Sequence, residues 1–174
     1  TNATLGGTIN AVVTVTDDDA PPIVSFEQAS VTVTEQDEGN RTSGANNVID
    51  VTVALNVPSG RSISVEYAAS NGGAEEGTDY AQAIGTLNFN PGETTKSFEL
   101  TILDDSLSES DEDLILRLSN AVNATIGLGQ STIIIEDDDG IPSVKFKQAN
   151  YSVSETDGSV NLDVVLSRPS AATA

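Results

Sequence analysis

The sequence predicts an all-β protein, an antiparallel two-sheet sandwich of about seven strands that is immunoglobulin-like and belongs to a tandem array. Apolar and polar residues alternate over many short runs rich in Val, Ile and Thr, and no run shows helical periodicity. Turn residues separate these runs at regular intervals. Pro58-Ser59-Gly60 and Asn90-Pro91-Gly92-Glu93 are examples, because proline fixes φ and glycine permits positive φ.

The individual strands follow from this alternation. Val51, Val53 and Leu55 alternate with Thr52 and Ala54, which is the pattern of a strand with one buried face. By the same criterion, the predicted strands span about 23–27 and 30–35 (one strand broken in the middle), 48–57, 61–69, 84–90, 95–103, 113–119 and 130–136.

The chain also repeats itself, which indicates a tandem array. Segments from its first part recur 120 or 121 positions later with the same residue pattern. The matched pairs are Asn2–Gly6 with Asn123–Gly127, Asp17–Asp19 with Asp137–Asp139, Val24–Ala29 with Val144–Ala149, and Val31–Glu35 with Tyr151–Glu155.

Beyond these segments the spacing between matches becomes shorter. Leu55 matches Leu166, which lies 111 positions later, so the second copy lacks nine residues. The difference falls within 36–47, which is rich in Gly, Asn and Ser and is interpreted as an enlarged loop. We expect three parts: 1–19, the C-terminal end of a preceding repeat; 20–139, a complete repeat; and 140–174, the N-terminal start of a following repeat.

The composition excludes several classes of partner and of chemistry. Asp and Glu number 27 against 7 Lys and Arg, so neither nucleic acid nor an anionic membrane surface is an expected partner. His and Cys are absent, which excludes His-based catalytic triads, thiolate nucleophiles and zinc–thiolate sites. No apolar run has the length of a membrane span, so no direct membrane insertion is expected.

One enzymatic class needs neither His nor Cys, because paired carboxylates can hydrolyse glycosides. Such an enzyme would need an aromatic cleft for the sugar, and the chain has only 4 Phe, 3 Tyr and no Trp. We therefore expect no enzymatic activity.

The acidic residues concentrate at one end of the predicted sandwich. Successive strands run in opposite directions, so the loops after residues 35, 71 and 103 and the exit of the last strand share one end. These regions contain Glu35, Asp37, Glu38, Glu75, Glu76, Asp79, Asp104, Asp105, Glu109, Asp111, Glu112, Asp113, Asp137, Asp138 and Asp139. The loops at the opposite end contain only Glu93, and Arg41 is the one cationic residue in the acidic loops.

Carboxylates crowded at one end repel one another unless a cation neutralises them. Calcium suits them, because it accepts about 6–8 oxygen ligands, tolerates irregular geometry and takes bridging carboxylates. Magnesium fits less well, since it retains water and requires near-octahedral geometry. We expect about two to four calcium ions per complete repeat. The alternative interpretation is a solvated acidic surface without a metal.

Several motifs along the complete repeat resemble those of a known family. They are Val31–Glu35, Gly77–Tyr80, Gly85–Glu93, Ile102–Asp105 with Glu109 and Glu112, and Ile135–Asp139. In this order they are similar to the Calx-beta repeat, a calcium-binding sandwich module of sodium–calcium exchangers, an integrin subunit and large bacterial surface proteins. The resemblance covers 20–139 and both flanking pieces.

The resemblance implies a set of calcium ligands. Carried over residue by residue, they are Glu35, Asp79, Asp104, Asp105, Glu109, Asp137, Asp138 and Asp139. Glu112 follows in the same motif, where two roles are open: a further ligand, or a support for its loop. Tyr80 is expected to pack against the edge of the sandwich.

Each triple aspartate leads directly into a linker that contains proline: Asp19 into Ala20-Pro21-Pro22, and Asp139 into Gly140-Ile141-Pro142. Calcium would then stiffen the joint between neighbouring repeats of the same chain. The preferred function is a structural and adhesive stalk, extracellular or at a cell surface and bacterial in origin. The alternative is a calcium-sensing regulatory module coupled to an attached transport or enzymatic domain.

Two further segments, 1–19 and 143–168, are expected to contain strands without their own sheets. Exposed strand edges attract partners. We therefore expect these segments to pair between molecules, or with the intact sandwich, wherever they are ordered.

Overall fold

The computed structural model of the protein describes residues 2, 7, 10–16, 18–35 and 46–167. Its strands are β1 (Ile23–Phe26), β2 (Ser30–Thr34), β3 (Asn47–Leu55), β4 (Ile63–Asn71), β5 (Ile84–Phe89), β6 (Thr95–Ile102), β7 (Glu112–Val122), β8 (Thr125–Ile126), β9 (Gln130–Glu136), β10 (Val144–Phe146) and β11 (Val164–Leu166). Within the described ranges, no helix long and apolar enough to cross a membrane is present.

Strands β1 to β9 form two sheets around one core. The first sheet has the order β6-β3-β1-β8, and the second has the order β2-β9-β7-β4-β5. Val24, Val53 and Leu100 enter the core from the first sheet, and Leu116 and Ile133 enter it from the second. The predicted all-β sandwich is confirmed.

Residue alternation decides which side chains enter this core. On β3, Val51 and Val53 are buried while Thr52 between them is partly exposed, as the sequence pattern predicted. Between the sheets, the rings of Tyr67 and Phe98 stack with their centroids 3.8 Å apart. Such an aromatic pair adds about 1 kcal/mol to the burial of its surface.

The first predicted strand is broken, and its two halves belong to different sheets. β1 pairs antiparallel with β3, whereas β2 pairs in parallel with β9 in the opposite sheet. β1 also pairs in parallel with β8, so the sandwich is not wholly antiparallel. Because β2 and β9 are parallel, the chain leaves both strands at the same end of the sheet. Antiparallel β7 begins at this end, since Glu112 faces Ile135.

Tyr80 lies elsewhere than expected. It was predicted to pack against the edge of the sandwich, but its side chain is fully buried in the core. The loop after β4 brings it there, because Tyr80 forms an antiparallel bridge with Ile102 at the end of β6.

The strands that follow the sandwich were expected to lack a sheet of their own and to pair with the sandwich or a second molecule, but within the described residues β10 and β11 form a two-stranded sheet with each other. They reproduce the pairing at the beginning of the sandwich. Val144 of β10 faces Leu166 of β11, and the matching residues Val24 and Leu55 face each other in β1 and β3. The register is the same, although β10 lies 120 positions after β1 and β11 lies only 111 positions after β3. The nine-residue difference therefore lies in the connection and leaves the strand pairing unchanged.

The segment before the sandwich has a different structure. No strand is present within residues 10–16, where Val12, Val13 and Val15 are exposed. Its predicted pairing with a second molecule stays a prediction.

Candidate metal centre

Among the residues that the structure describes, six carboxylate side chains form two close groups at the end of the sandwich where β2 and β9 stop and β7 begins. The first group contains Glu35, Asp104 and Asp138, and the second contains Asp79, Glu109 and Glu112. In each group, one carboxylate oxygen of every residue lies within 4.8 Å of an oxygen of each of the others. We call the two groups together the acidic tip.

Strand pairing brings the first group together. The parallel pairing continues one residue beyond β2, because the Glu35 N–H donates to the Glu136 carbonyl oxygen (3.3 Å). Asp138 follows two residues after this point. Asp104 lies just beyond β6, and its N–H donates to Asn46 Oδ1 (3.2 Å). Three chain segments distant in sequence therefore contribute one carboxylate each.

Glu35 is the buried member of the first group. Its side chain is only 6% exposed, and its Oε2 atom has no hydrogen-bond partner in the part of the chain that the structure describes. Burial, followed by the charges of Asp105, Asp137, Glu109 and Asp104, raises the pKa of Glu35 to about 8. An anion in such a place is unfavourable unless a proton or a cation compensates it.

The second group is electrostatically linked to the first. Burial, followed by a hydrogen bond with Asp79, raises the pKa of Glu112 to about 7. Burial, followed by the charge of Asp105, raises the pKa of Glu109. Asp79 is held in place because its Oδ2 atom accepts a hydrogen bond from the Glu75 N–H (2.6 Å). The acidic tip is therefore one region of mutually repelling carboxylates.

Asp105, Asp137 and Asp139 belong to the predicted ligand set but lie outside the two close groups. Asp105 Oδ1 accepts a hydrogen bond from the Leu107 N–H (2.6 Å), and Asp137 Oδ1 accepts one from the Asp139 N–H (3.3 Å). These bonds turn the backbone within each loop. Asp105 and Asp137 still contribute to the raised pKa of Glu35. The assignment of all eight residues as ligands stays a prediction.

Glu112 is the residue whose role the sequence left open. The structure places its carboxylate in the second group with Asp79 and Glu109. It is the first residue of β7, and its antiparallel pairing with Ile135 puts it at the acidic end of the sheet. The predicted strand began at residue 113. A predicted start at 112 would have put Glu112 at the acidic end of the sheet.

The acidic tip offers only oxygen ligands, which suit a hard divalent cation such as Ca²⁺. Burial and neighbouring carboxylates raise the pKa of Glu35, Glu109, Glu112 and Asp138, and no Lys or Arg is among the causes. Asp37, Glu38 and Arg41 lie outside the described residues.

These features define a class of protein: a two-sheet β-sandwich module with a carboxylate-rich end. A model of the Calx-beta domain family matches residues 17–139 and, a second time, residues 137–174. The chain therefore belongs to the Calx-beta domain family.

Curated relatives and solved structures agree with this assignment. Sodium/calcium exchanger 2 of Homo sapiens is 34% identical over 120 residues, which cover 59% of this chain but only 13% of the exchanger. The apo-form Calx CBD1 domain has a TM-score of 0.61 at 29% identity, with coverage of 69% of this chain and 100% of that chain. The calcium binding domain CBD12 of CALX1.1 has a TM-score of 0.60 at 28% identity, with coverage of 81% and 56%. The chain thus resembles calcium-binding domains.

Proposed function

We propose that this chain is a calcium-binding repeat module, in which Ca²⁺ occupies the acidic tip, orders its loops and stiffens the junction with the next repeat. The observation that carries this proposal is the Glu35 carboxylate, which is buried beside Asp104 and Asp138 with one oxygen lacking a hydrogen-bond partner among the described residues. A calcium ion would supply the missing positive charge and would accept these oxygen ligands.

The two close groups support at least two ion positions, and bridging carboxylates between them would allow about two to four. The proposal keeps the ligands expected from the sequence and adds one. The proposed set is Glu35, Asp79, Asp104, Asp105, Glu109, Glu112, Asp137, Asp138 and Asp139.

The proposed division of the chain into 1–19, 20–139 and 140–174 puts the acidic tip at a junction between repeats. Two observations support it. The two matches of the family model overlap at 137–139. The strand pairing of β10 with β11 also has the register of β1 with β3. Calcium bound to the triple aspartate would therefore act directly beside the linker.

The opposite end of the complete repeat offers a surface for the preceding tip. The linker contacts the sandwich there, since the Thr125 N–H donates to the Pro22 carbonyl oxygen (2.9 Å). Asp19, the linker and Arg61 line a cleft of about 970 Å³. A short joint held in this way supports an extended arrangement of repeats when the aspartates are neutralised by calcium.

Two settings for such a module make different predictions about affinity. The tandem pattern of the sequence supports an adhesive stalk at a bacterial cell surface, where extracellular calcium modules have a Kd of about 10⁻⁴ to 10⁻³ M. The similarity to sodium/calcium exchangers supports a sensor coupled to an attached transport or enzymatic domain, for which the Kd is about 10⁻⁷ to 10⁻⁵ M. Calorimetric titration with calcium separates the two.

The same titration tests calcium binding itself. The Asp104→Asn/Asp138→Asn double variant should lose the share of the binding heat that comes from the first group, because it removes two of the three charges there. The matched control is Asp50→Asn/Glu99→Gln, which neutralises two exposed carboxylates that face each other on β3 and β6. We expect the control to bind calcium like the wild type. A wild-type chain that binds no calcium contradicts the proposal.

Stiffening of the junction needs a separate measurement. Small-angle X-ray scattering of the 174-residue chain should give a larger maximum dimension with calcium than with chelator, and calcium should raise the melting temperature. If both quantities stay the same while calcium binds, the stiffening part of the proposal is wrong.

A further inference from the structure

The loop between β4 and β5 carries Asp79 into the second group, and its first half is attached to the start of β7. The Gly73 N–H donates to Asp113 Oδ1 (3.0 Å), and the Ala74 N–H donates to the Asp113 carbonyl oxygen (2.9 Å). Gly72 permits this close approach, because a Cβ atom there would lie 2.6 Å from the Asp113 carbonyl oxygen. Asp113 follows Glu112 directly, so this attachment lies beside the second group.

The second half of the loop is attached to the end of β6. Tyr80 is fully buried and forms an antiparallel bridge with Ile102. Around this bridge, the Ala81 N–H donates to the Thr101 carbonyl oxygen and the Leu103 N–H donates to the Asp79 carbonyl oxygen, both at 2.9 Å. The backbone of Asp79 is therefore joined to the strand whose exit carries the acidic residues of the next loop.

The Tyr80 hydroxyl connects these two halves. It donates to Asn71 Oδ1 (2.5 Å), and the Glu76 N–H donates to the same oxygen (3.1 Å). Asn71 is the last residue of β4 and precedes the first attachment. One amide oxygen thus joins the end of the strand, the middle of the loop and the buried ring next to Asp79.

We propose that Tyr80 is a positioning residue for the second group: through Asn71, its hydroxyl holds Asp79 against Glu109 and Glu112 and so sets the calcium affinity of this group separately from that of the first. This inference rests on the proposed function. The ring itself packs in the core, so the hydroxyl is the part of the side chain that acts on the loop.

Within the described part of the chain, the first group has no contact with the Tyr80 hydroxyl. Glu35 and Asp138 are placed by the parallel pairing of β2 with β9. Asp104 follows Leu103, whose N–H bonds to the Asp79 backbone and not to the hydroxyl. Loss of the Tyr80 hydroxyl should therefore change one group and leave the other unaffected.

The test measures each group in a background that lacks the other. Asp138→Asn disables the first group, and Asp79→Asn disables the second. Tyr80→Phe is then introduced into both, and calcium affinity is measured by calorimetry. We expect a loss of about fivefold in the Asp138→Asn background, the equivalent of one net hydrogen bond, and less than about twofold in the Asp79→Asn background.

Tyr67→Phe is the matched control, because it removes a hydroxyl from β4 at a residue that stacks on Phe98. It should change affinity in neither background. Asn71→Ala should lose at least as much as Tyr80→Phe, because it also removes the acceptor of the Glu76 N–H, and the double variant should lose no more than Asn71→Ala alone. A merely structural role would instead lower the calcium-free melting temperature and weaken both groups alike.

The outcomes separate this inference from the proposed function. Three results would overturn the role of Tyr80: equal losses in both backgrounds, no loss in either background, or no calcium binding in the Asp138→Asn background. Each of them leaves calcium binding by the wild type intact. A wild-type chain that binds no calcium overturns both.

Discussion

Glu35 and Asp138 bring carboxylate oxygens within 4.8 Å of each other, although 103 positions separate them in the chain. The parallel pairing of β2 with β9 accounts for this proximity, because both strands end at the same edge of the sheet. Without calcium, burial and the neighbouring carboxylates disfavour the charged form of Glu35, so the arrangement costs stability. A cation bound between these carboxylates, as proposed above, would remove this cost.

Neutralising Glu35 should stabilise the calcium-free protein. Glu35→Gln replaces a buried carboxyl group that must take up a proton or carry an unpaired charge on folding, so it should raise the free energy of unfolding in chelator by about 1–3 kcal/mol. It should also lower calcium affinity by about tenfold, the equivalent of one charged ligand contact. Chemical denaturation and calorimetry measure the two effects. The control is Glu136→Gln, which neutralises an exposed carboxylate at the end of β9, the strand that pairs with β2. A destabilised Glu35→Gln variant in chelator would contradict this account.

Stability without calcium should fall as the pH rises. The pKa values of Glu35 and Glu112 are about 8 and about 7 in the folded chain and near 4.5 in the unfolded one. Between these limits the folded state binds more protons, so its free energy of unfolding decreases with increasing pH. Thermal melts in chelator from about pH 5 to 8 check this.

Two comparisons complete the pH experiment. The Glu35→Gln/Glu112→Gln variant should show a weaker pH dependence, because the two groups that take up protons are gone. Saturating calcium should also weaken it in the wild type, because the ion replaces the protons. A wild-type melting temperature that rises over this range in chelator is the result that would rule out the assigned shifts.

Glu112 should behave as a ligand of the second group. Because its carboxylate lies with those of Asp79 and Glu109, Glu112→Gln should lower the calcium affinity of the second group by roughly tenfold. Asp111→Asn is the control, since that neighbouring side chain is exposed and belongs to neither close group. Calorimetric titrations that show equal affinity for Glu112→Gln and the wild type would assign Glu112 a supporting role instead.

Gly72 should tolerate no side chain. In Gly72→Ala the new Cβ atom would lie 2.6 Å from the Asp113 carbonyl oxygen and 2.8 Å from Asp113 Oδ2, so the loop must shift. We expect a loss of about 1–3 kcal/mol in the free energy of unfolding. Gly60→Ala is the control, because its Cβ atom would meet nothing within 4 Å. Equal denaturation midpoints for the two variants would show that the loop adapts without cost.

Much of the fold could be predicted because its signals are local. Alternation located the strands to within a few residues, and Val51 and Val53 lie in the core as the pattern required. Strand direction then indicated which end of the sandwich each carboxylate occupies. The spacing change from 120 to 111 was also interpretable, since β10 and β11 keep the register of β1 and β3.

The grouping of the carboxylates could not be predicted from the same signals. Strand direction assigns a residue to an end, but not to a neighbour across the sheets. Glu112 joins Asp79 because the loop after β4 folds back onto the ends of β6 and β7. Tyr80 is in the core for the same reason, and no alternation pattern marks it.

By itself, the sequence determined the all-β class, the repeat and the concentration of acidic residues at one end, because these depend on side-chain periodicity and chain direction. Only the tertiary structure decided that Glu35 meets Asp104 and Asp138 while Asp79 meets Glu109 and Glu112. Those contacts depend on the parallel pairing of β2 with β9 and on the hydrogen bonds of one loop. Both are long-range interactions that form only when the two sheets are in place.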